Sequence, residues 1–226
     1  MLKFTPQKSA GHLLSIPSYQ AFRKSFQLLA SKLQYSPRTP LHTLLVVGAA
    51  AGVGTTTVAI GFARFLAEVL QQKVLLVDAD YRTESAKGKK KDEKAKGFCE
   101  LLAHKARLEE VVVQQSDFLD FLPRGDAALL SSTLFSINKD MKSSIDDIAS
   151  HYAMVIIDAS PLAMSPGTYS LAHIVDGVIV VAQAEKTRKA VLQNVRDQLQ
   201  SIDAFIAGAV LNKRKFHIPA WLYNYL

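Results

Sequence analysis

A glycine-bearing loop and three aspartates are the residues of this chain whose types and spacing could do chemistry together. The loop, residues 48–57, follows an apolar run and reads Gly-Ala-Ala-Ala-Gly-Val-Gly-Thr-Thr-Thr. Its glycines let backbone amides turn inward on a phosphate, and a helix that begins after them directs its positive end at the same point. Asp78 and Asp80 follow a second apolar run, and Asp158 follows a third. Such carboxylates can hold Mg²⁺ through water, and one can act as a base for an incoming hydroxyl.

The loop lacks the main cation of a phosphate-binding loop (P-loop). A P-loop carries Lys directly after its last glycine and before a Ser or Thr, whereas Thr55 stands there in this chain. Losing an ammonium that pairs with phosphate costs a few kcal/mol and removes stabilisation of the transferring group. We therefore expect weak nucleotide binding and very slow or absent transfer. The residues predicted to bind phosphate are Gly52, Val53, Gly54, Thr55, Thr56 and Thr57.

Two interpretations of the aspartates stay open at this stage. In the first, Thr56, Asp78 and Asp158 form a metal set, and a lysine of residues 87–96 or a residue of a partner supplies the missing charge, as arginine fingers do. In the second, the carboxylates are structural, because acids at strand ends accept loop amides and cap helices. A glycine pair or an aspartate after a strand is common in turns and is weak evidence alone. The occurrence of the glycine loop and the aspartates together, in this order along the chain, favours a nucleotide site.

Alternating apolar segments predict the elements that position these residues. Apolar runs without alternation indicate strands buried on both faces of a parallel sheet. The predicted strands are residues 43–48, 74–77, 118–122, 154–157, 177–182 and 205–211; the predicted helices are residues 18–36, 55–70, 98–104, much of 127–150, 169–174 and 187–202, and residues 108–114 are helical or extended. This alternation predicts a three-layer α/β fold with a mostly parallel sheet, and the glycine loop between strand and helix makes the predicted fold P-loop NTPase-like. Ligands of such folds bind at the carboxyl ends of the strands, so the glycine loop, the three aspartates and Asn212 should converge on one cleft.

The composition of the chain restricts the classes of protein to which it can belong. The chain has 226 residues, of which 49% are hydrophobic, enough for a substantial core. No apolar run approaches the ~18 residues of a membrane span, and residues 1–17 lack the order of a signal peptide. The single cysteine, Cys99, excludes an internal disulfide and fits a reducing cytosol. We predict a flexible segment over residues 1–16, one domain over 17–213 and a basic, aromatic tail over 214–226.

Positive charge is concentrated in one segment. The net charge is +7, and six lysines lie within residues 87–96: Lys87, Lys89, Lys90, Lys91, Lys94 and Lys96. Such a run is most often a solvated loop, and the alternative is contact with an anionic membrane surface or a polyanion. No aromatic residues are interleaved with the lysines, which argues against nucleic acid as a specific partner.

Three motifs resemble those of the bacterial tyrosine autokinases (BY-kinases), relatives of the division-site and plasmid-partition ATPases. Residues 74–82, Val-Leu-Leu-Val-Asp-Ala-Asp-Tyr-Arg, resemble the second Walker motif particular to these kinases. Residues 155–161, Val-Ile-Ile-Asp-Ala-Ser-Pro, resemble their Walker B motif, and residues 208–212 match a later strand. The resemblance runs from about residue 17 to the end. It implies ATP or ADP with Mg²⁺ as ligands, and adenine contact by Asn212.

The chain departs from the family at its functional positions. Thr55 replaces the P-loop lysine, and Ala50 replaces the signature lysine of partition-type relatives. The oligomerisation helix of the family has Glu-x-x-Arg-x-x-Arg, where this chain has Gln20, Arg23 and Phe26. The phosphorylated tyrosine cluster is reduced to Tyr223 and Tyr225, which are the candidate phosphoacceptors.

The first hypothesis is a BY-kinase-like protein with a degenerate Walker A motif, in effect a pseudokinase. The resemblance implies a cytoplasmic protein, peripheral at the inner face of the membrane. It would regulate exopolysaccharide or capsule synthesis and export by docking on an inner-membrane polysaccharide co-polymerase or another export-machinery protein, with self-association possible. The second hypothesis is an active tyrosine autokinase or ATPase, with Asp78, Asp80 and Asp158 catalytic. The third is a partition-type positioning ATPase.

Overall fold

The computed structural model describes residues 7–8, 19–81, 96–131 and 138–214. Its strands are β1 (Gln7–Lys8), β2 (Thr43–Gly48), β3 (Val74–Ala79), β4 (Val113–Gln114), β5 (Leu119–Leu122), β6 (Met154–Ala159), β7 (Gly177–Gln183) and β8 (Ile206–Asn212). Its α-helices are α1 (Tyr19–Gln34), α2 (Thr55–Leu70), α3 (Phe98–Leu102), α4 (Leu108–Val111), α5 (Ala128–Ser131), α6 (Asn138–Ser150), α7 (Pro166–Ile174) and α8 (Lys189–Gln200), with a 3₁₀ turn at Leu162–Met164.

The strands form one mixed sheet in the order β1-β4-β5-β3-β6-β2-β7-β8. Strands β5, β3, β6, β2, β7 and β8 are parallel to one another, and β4 runs antiparallel to β5. The carboxyl ends of the parallel strands therefore lie at one edge of the sheet, which we call the carboxyl edge; the opposite edge is the amino edge. Chain order and sheet order differ, so loops far apart in sequence meet at the carboxyl edge.

Both faces of the sheet are covered, which is why the central strands are apolar without alternation. In β2, Leu44 and Val46 pack in a cluster with α1 and α2, whereas Leu45 and Val47 pack in a second cluster with α3, α6 and α7. Successive side chains of a strand point to opposite faces, so every residue of β2 is buried. The result is a three-layer arrangement of helices, sheet and helices.

The first helix packs through the apolar stripe that its sequence predicts. Phe26, Leu29 and Leu33 are buried, and Phe22 stacks on Phe26 with ring centroids 6.0 Å apart. Phe26 also lies 5.8 Å from Phe62 of α2. Aromatic pairs at this spacing bury large apolar areas, and α1 accordingly packs against α2 and the neighbouring strand β8.

The predicted fold class is confirmed, and the structure refines several bounds. Strands β3 and β6 run two residues further than predicted and so include Asp78 and Asp158. The segment predicted as helical or extended divides into α4 and β4. Arg82, the lysines at 87–94, Trp221, Tyr223 and Tyr225 lie outside the described residues. Among the described helices, none has both the length and the apolar character that crossing a bilayer requires.

Candidate phosphate-binding site

The glycine loop joins β2 to α2 and has the tight geometry that its sequence predicts. Gly52 and Gly54 have φ angles of +74° and +92°, a region that residues with a side chain enter only at a cost. A Cβ on Gly54 would overlap the Asn212 side-chain amide. At Gly48, a Cβ would lie 2.5 Å from the Thr55 hydroxyl. These glycines are therefore required by backbone conformation or by close approach.

Thr55 is the first residue of α2, and its side chain points into the loop. It is 6% exposed, with its hydroxyl against the backbone at Gly48. Thr56 and Thr57 follow on the helix and are exposed. The strand, loop and helix are thus formed with threonine at position 55, and its small neutral side chain fills the inside of the loop.

The end of β8 holds the glycine loop from outside. The Asn212 side-chain amide donates to the Val53 carbonyl oxygen at 2.9 Å, and the Lys213 ammonium donates to the Gly52 carbonyl oxygen at 2.6 Å. The backbone N–H of Lys213 donates to the Asn212 side-chain oxygen at 2.8 Å, which orients that amide. The structure thus brings Asn212 to the loop as predicted, and it adds Lys213, which sequence reasoning did not assign to the site.

Three carboxylates gather beside the loop at the carboxyl edge. Asp78 on β3 and Asp158 on β6 are register partners in adjacent strands. Asp78 accepts a hydrogen bond from the backbone N–H of Asp80 at 2.9 Å, and the Ser160 hydroxyl donates to the Asp80 carboxylate at 2.6 Å. Asp158 also pairs in register with Val46 of β2, shortly before the loop begins. The predicted convergence of loop and aspartates is therefore present in the fold.

Burial dominates the electrostatics of this acidic group. Desolvation raises the pKa of Asp78 above its ordinary value, and the nearby Asp80 carboxylate adds to the increase. The Asp80 N–H and the Arg124 guanidinium act in the opposite direction without cancelling it. A buried carboxyl group with a raised pKa is a site that a bound cation would stabilise in its charged form.

Arg124 is a functional candidate that sequence reasoning missed, because it lies in the loop after β5 and belongs to none of the predicted motifs. Its guanidinium donates to the Asp80 backbone oxygen at 2.8 Å, which places a fixed positive charge beside the acidic group. The available signal was its position: β5 is a neighbour of β3, so a basic residue at the end of β5 reaches the end of β3.

The Arg124 loop is held by a buried carboxylate. Glu100 on α3 accepts a hydrogen bond from Gly97 N–H at 2.7 Å and another from Asp126 N–H at 3.1 Å. Backbone bonds from Phe98 N–H to the Pro123 oxygen and from Cys99 N–H to the Arg124 oxygen, both at 2.8 Å, fasten the same loop. The first turn of α3 thus positions Arg124, although α3 precedes this loop by more than twenty residues in the chain.

The donor set fits a magnesium nucleotide better than a bare metal ion. Within the described ranges, no group of three or more His, Cys, Asp or Glu residues is arranged to hold a metal alone. Mg²⁺ is usually bound by one or two carboxylates together with substrate phosphates and water. Asp78, Asp158 and the Thr56 hydroxyl supply hard oxygen ligands of that kind, and the loop amides suit the phosphates. ATP or ADP with Mg²⁺ is therefore the ligand class that matches the residues present.

Fold and site together define a P-loop NTPase-like protein. A family model described as an AAA domain (AAA_31) matches residues 42–212, and the chain belongs to this family. It is 27% identical, over 77% of its length, to the tyrosine-protein kinase YwqD of Bacillus subtilis, and covers 73% of that protein. It is 28% identical over 87% of its length to the putative tyrosine-protein kinase EpsB of Ralstonia solanacearum, but spans only 26% of it.

Solved structures show the same fold. The kinase domain of Escherichia coli tyrosine kinase ETK superposes with a TM-score of 0.74 at 24% identity, covering 93% of this chain and 86% of that one. Cobyrinic acid a,c-diamide synthase from Mycobacterium smegmatis, solved with bound ADP and magnesium, superposes with a TM-score of 0.59 at 21% identity, covering 75% and 71%. These comparisons confirm the resemblance to the kinase family that the motifs indicate, and they confirm the predicted fold.

Proposed function

We propose that this chain is a BY-kinase-like regulator that binds nucleotide weakly and transfers phosphate slowly or not at all. The observation that carries the proposal is the glycine loop, which keeps its conformation while Thr55 fills the lysine position with a buried neutral side chain. The amide cradle and the acidic group are retained, whereas the cation that neutralises charge on the transferring phosphoryl group is lost from the loop. Binding and catalysis therefore separate in this protein.

In this proposal the residues have distinct roles. Backbone amides of residues 52–57 would receive the phosphates, Thr56, Asp78 and Asp158 would hold Mg²⁺, and Asp80 would complete the acidic side. Bound Mg²⁺ would supply the charge needed to bring a triphosphate beside three aspartates. Asn212 lies where it holds the loop, and contact with adenine is an additional role for it.

The experiment is calorimetric titration of ATP and ADP, with and without Mg²⁺, into the wild type, Thr55→Lys and Asp158→Asn. We expect weak, Mg²⁺-dependent binding to wild type, a gain of about tenfold or more for Thr55→Lys from one charge-assisted contact, and loss of the Mg²⁺ dependence for Asp158→Asn. Equal affinity of wild type and Thr55→Lys would contradict the assigned role of position 55. Thermal melts of the variants show whether each one folds.

We further propose that the protein acts in the cytoplasm at the inner face of the membrane, docked on a polysaccharide co-polymerase or another export-machinery protein. Support comes from the kinase resemblance and from the net charge of +7. The test is sedimentation with inner-membrane vesicles, protease-treated vesicles and vesicles of anionic lipid alone. Loss of binding after protease treatment supports a protein partner, and binding to lipid alone supports a direct membrane contact. Binding to none of them rules the proposal out.

An active tyrosine kinase is the second candidate, and one observation favours it. Arg124 and Lys213 place two positive charges at the carboxyl edge that the P-loop sequence does not include. In this case Tyr223 or Tyr225 is the acceptor and an aspartate is the base. Phosphotyrosine that forms in the wild type and disappears in Asp158→Asn supports this candidate, and its absence from the wild type after long incubation with Mg²⁺ and ATP excludes it.

A further inference from the structure

Lys213 occupies an unusual backbone conformation directly after β8. Its φ is +56°, in the left-handed region that a residue with a long side chain seldom adopts. The conformation is held by the hydrogen bond from its own N–H to the Asn212 side chain. From this position the exposed lysine side chain reaches the Gly52 carbonyl oxygen at 2.6 Å.

We propose that Lys213 is the cation of the phosphate cradle, acting on the loop from outside in place of the lysine that Thr55 replaces. The ligand class is a polyphosphate, such as the diphosphate of ADP or inorganic pyrophosphate. The inference rests on the proposed nucleotide site and identifies a residue for it. Lys213 is a positioning residue in this role, because its ammonium contacts the loop rather than the phosphate.

The hydrogen bonds of the loop explain how this works. Three successive carbonyl groups are engaged: Gly52 by the Lys213 ammonium, Val53 by the Asn212 amide and Gly54 by the N–H of Val58 in α2. In a trans peptide the C=O and the following N–H point in opposite directions. Fixing the first two carbonyls towards β8 therefore turns the N–H groups of Val53 and Gly54 away from it, as an amide cradle requires.

The charge of Lys213 adds to this orientation. An ammonium bonded to a carbonyl oxygen polarises the whole peptide group, which makes the N–H on its other side a stronger donor. Its positive charge also attracts an anion across the thickness of one peptide unit, and because Lys213 and Gly52 are both exposed, water screens part of this attraction. The lysine of an ordinary P-loop meets the phosphate directly, so replacement from outside should restore only part of its contribution.

The test is calorimetric titration of Mg²⁺-ADP and of pyrophosphate with Mg²⁺ into the wild type, Lys213→Met and Lys213→Arg. We expect about a tenfold loss of affinity in Lys213→Met, and a loss of threefold or less in Lys213→Arg, whose guanidinium can still reach the Gly52 oxygen. Lys105→Met is the control, because it removes an equal charge from an exposed turn between α3 and α4, which pack on the other face of the sheet from α2.

Two further measurements separate the charge from a structural effect. Lys213→Gly relieves the left-handed backbone, so it should lose affinity as Lys213→Met does without a lower melting temperature. In apo protein, the Val53 amide NMR resonance should shift in Lys213→Met but stay in place in Lys105→Met. In a Thr55→Lys background, the loss of affinity caused by Lys213→Met should fall to threefold or less, because the lysine at position 55 then supplies the positive charge that Lys213 no longer provides.

The outcomes distinguish this inference from the proposed function. If Lys213→Met binds like the wild type, the role of Lys213 is overturned and the nucleotide site stands. If the wild type binds neither probe but Thr55→Lys does, Lys213 does not replace the lost lysine, and a disarmed docking protein stands. If neither protein binds, the proposed nucleotide site itself fails.

Discussion

Buried carboxylates lie at both edges of the same sheet, and their surroundings differ. Near the amino edge, Asp120 on β5 is fully buried. It pairs with the Lys73 ammonium at 2.9 Å and accepts a hydrogen bond from the Tyr152 hydroxyl at 3.2 Å. Burial first, and the Asp120 carboxylate second, raise the pKa of Tyr152, so this hydroxyl remains a donor. Each oxygen of Asp120 thus has its own partner from the protein.

At the carboxyl edge the same strands end in a concentration of negative charge. Asp78 and Asp158 lie side by side in register, with Asp80 directly after β3. Burial raises the pKa of Asp78 even with the Arg124 guanidinium nearby. The comparison indicates that the amino edge is arranged for stability, whereas the carboxyl edge carries a folding cost that a bound cation would relieve. The predictions below test this difference.

The largest effect is expected from breaking the amino-edge pair. Lys73→Met leaves the buried Asp120 with only the Tyr152 hydroxyl. Because the Lys73 side chain is itself partly exposed, we expect the free energy of unfolding to fall by about 3 kcal/mol, the low end of the range for buried pairs that lose one member. Denaturant unfolding measures the change. The control is Arg196→Met, which removes the exposed contact to Asp197 at 2.8 Å and should cost less than about 1 kcal/mol. Similar losses in both variants would show that Asp120 does not depend on Lys73.

The second largest effect is expected from replacing a glycine of the loop by alanine, and it should differ between Gly54 and Gly52. Gly54→Ala combines a left-handed backbone with overlap on the Asn212 amide, and we expect a loss of about 2–3 kcal/mol together with weakened nucleotide binding. A Cβ at Gly52 would have no other heavy atom within 4 Å. Gly52→Ala should therefore lower the free energy of unfolding only by the backbone strain, about 1 kcal/mol. Chemical denaturation and ligand titration of the pair measure both consequences. A larger loss at Gly52 than at Gly54 would show that the contact with Asn212 does not determine the conformation of the loop.

The smallest effect is expected at Asp78 and has the opposite sign. Because its pKa is raised in the folded state, the unfolded state binds fewer protons above pH 3.8, and this group makes stability fall as pH rises through its folded pKa. Asp78→Asn keeps an oxygen for the Asp80 N–H and removes the buried charge. We expect a higher melting temperature than wild type at pH 7 and no advantage well below pH 3.8. An unchanged melting temperature at pH 7 would contradict a cost at this edge.

Much of the fold could be predicted because it depends on local patterns. The apolar run of β2, the glycines after it and the helix that follows are adjacent in sequence, and periodicity indicates each of them. Burial on both sheet faces explains why β3 and β6 were recognised from continuous apolar runs. Their carboxyl ends were placed two residues early, since Asp78 and Asp158 are polar residues inside strands, and local polarity indicates a strand end.

The structure shows where the predicted site residues lie, whereas their functional roles stay predictions. Asn212, the aspartates and the glycine loop meet at one edge, as the strand order of a parallel sheet requires. The phosphoacceptor role of Tyr223 and Tyr225 and the role of residues 87–96 concern positions beyond the described ranges, apart from Lys96, which is exposed.

The sequence by itself determined the strand–loop–helix unit, the acidic strand ends and the missing lysine, because each of these is written in residues close together along the chain. Only the tertiary structure determined which positively charged side chains lie near the site. Lys213 reaches Gly52 across 161 positions, and Arg124 reaches Asp80 across 44. Such contacts depend on the order of strands in the sheet, where β8 is separated from β2 by β7 and β5 borders β3. Hydrophobic periodicity reports which residues are buried, but it carries no information about which strand lies beside which.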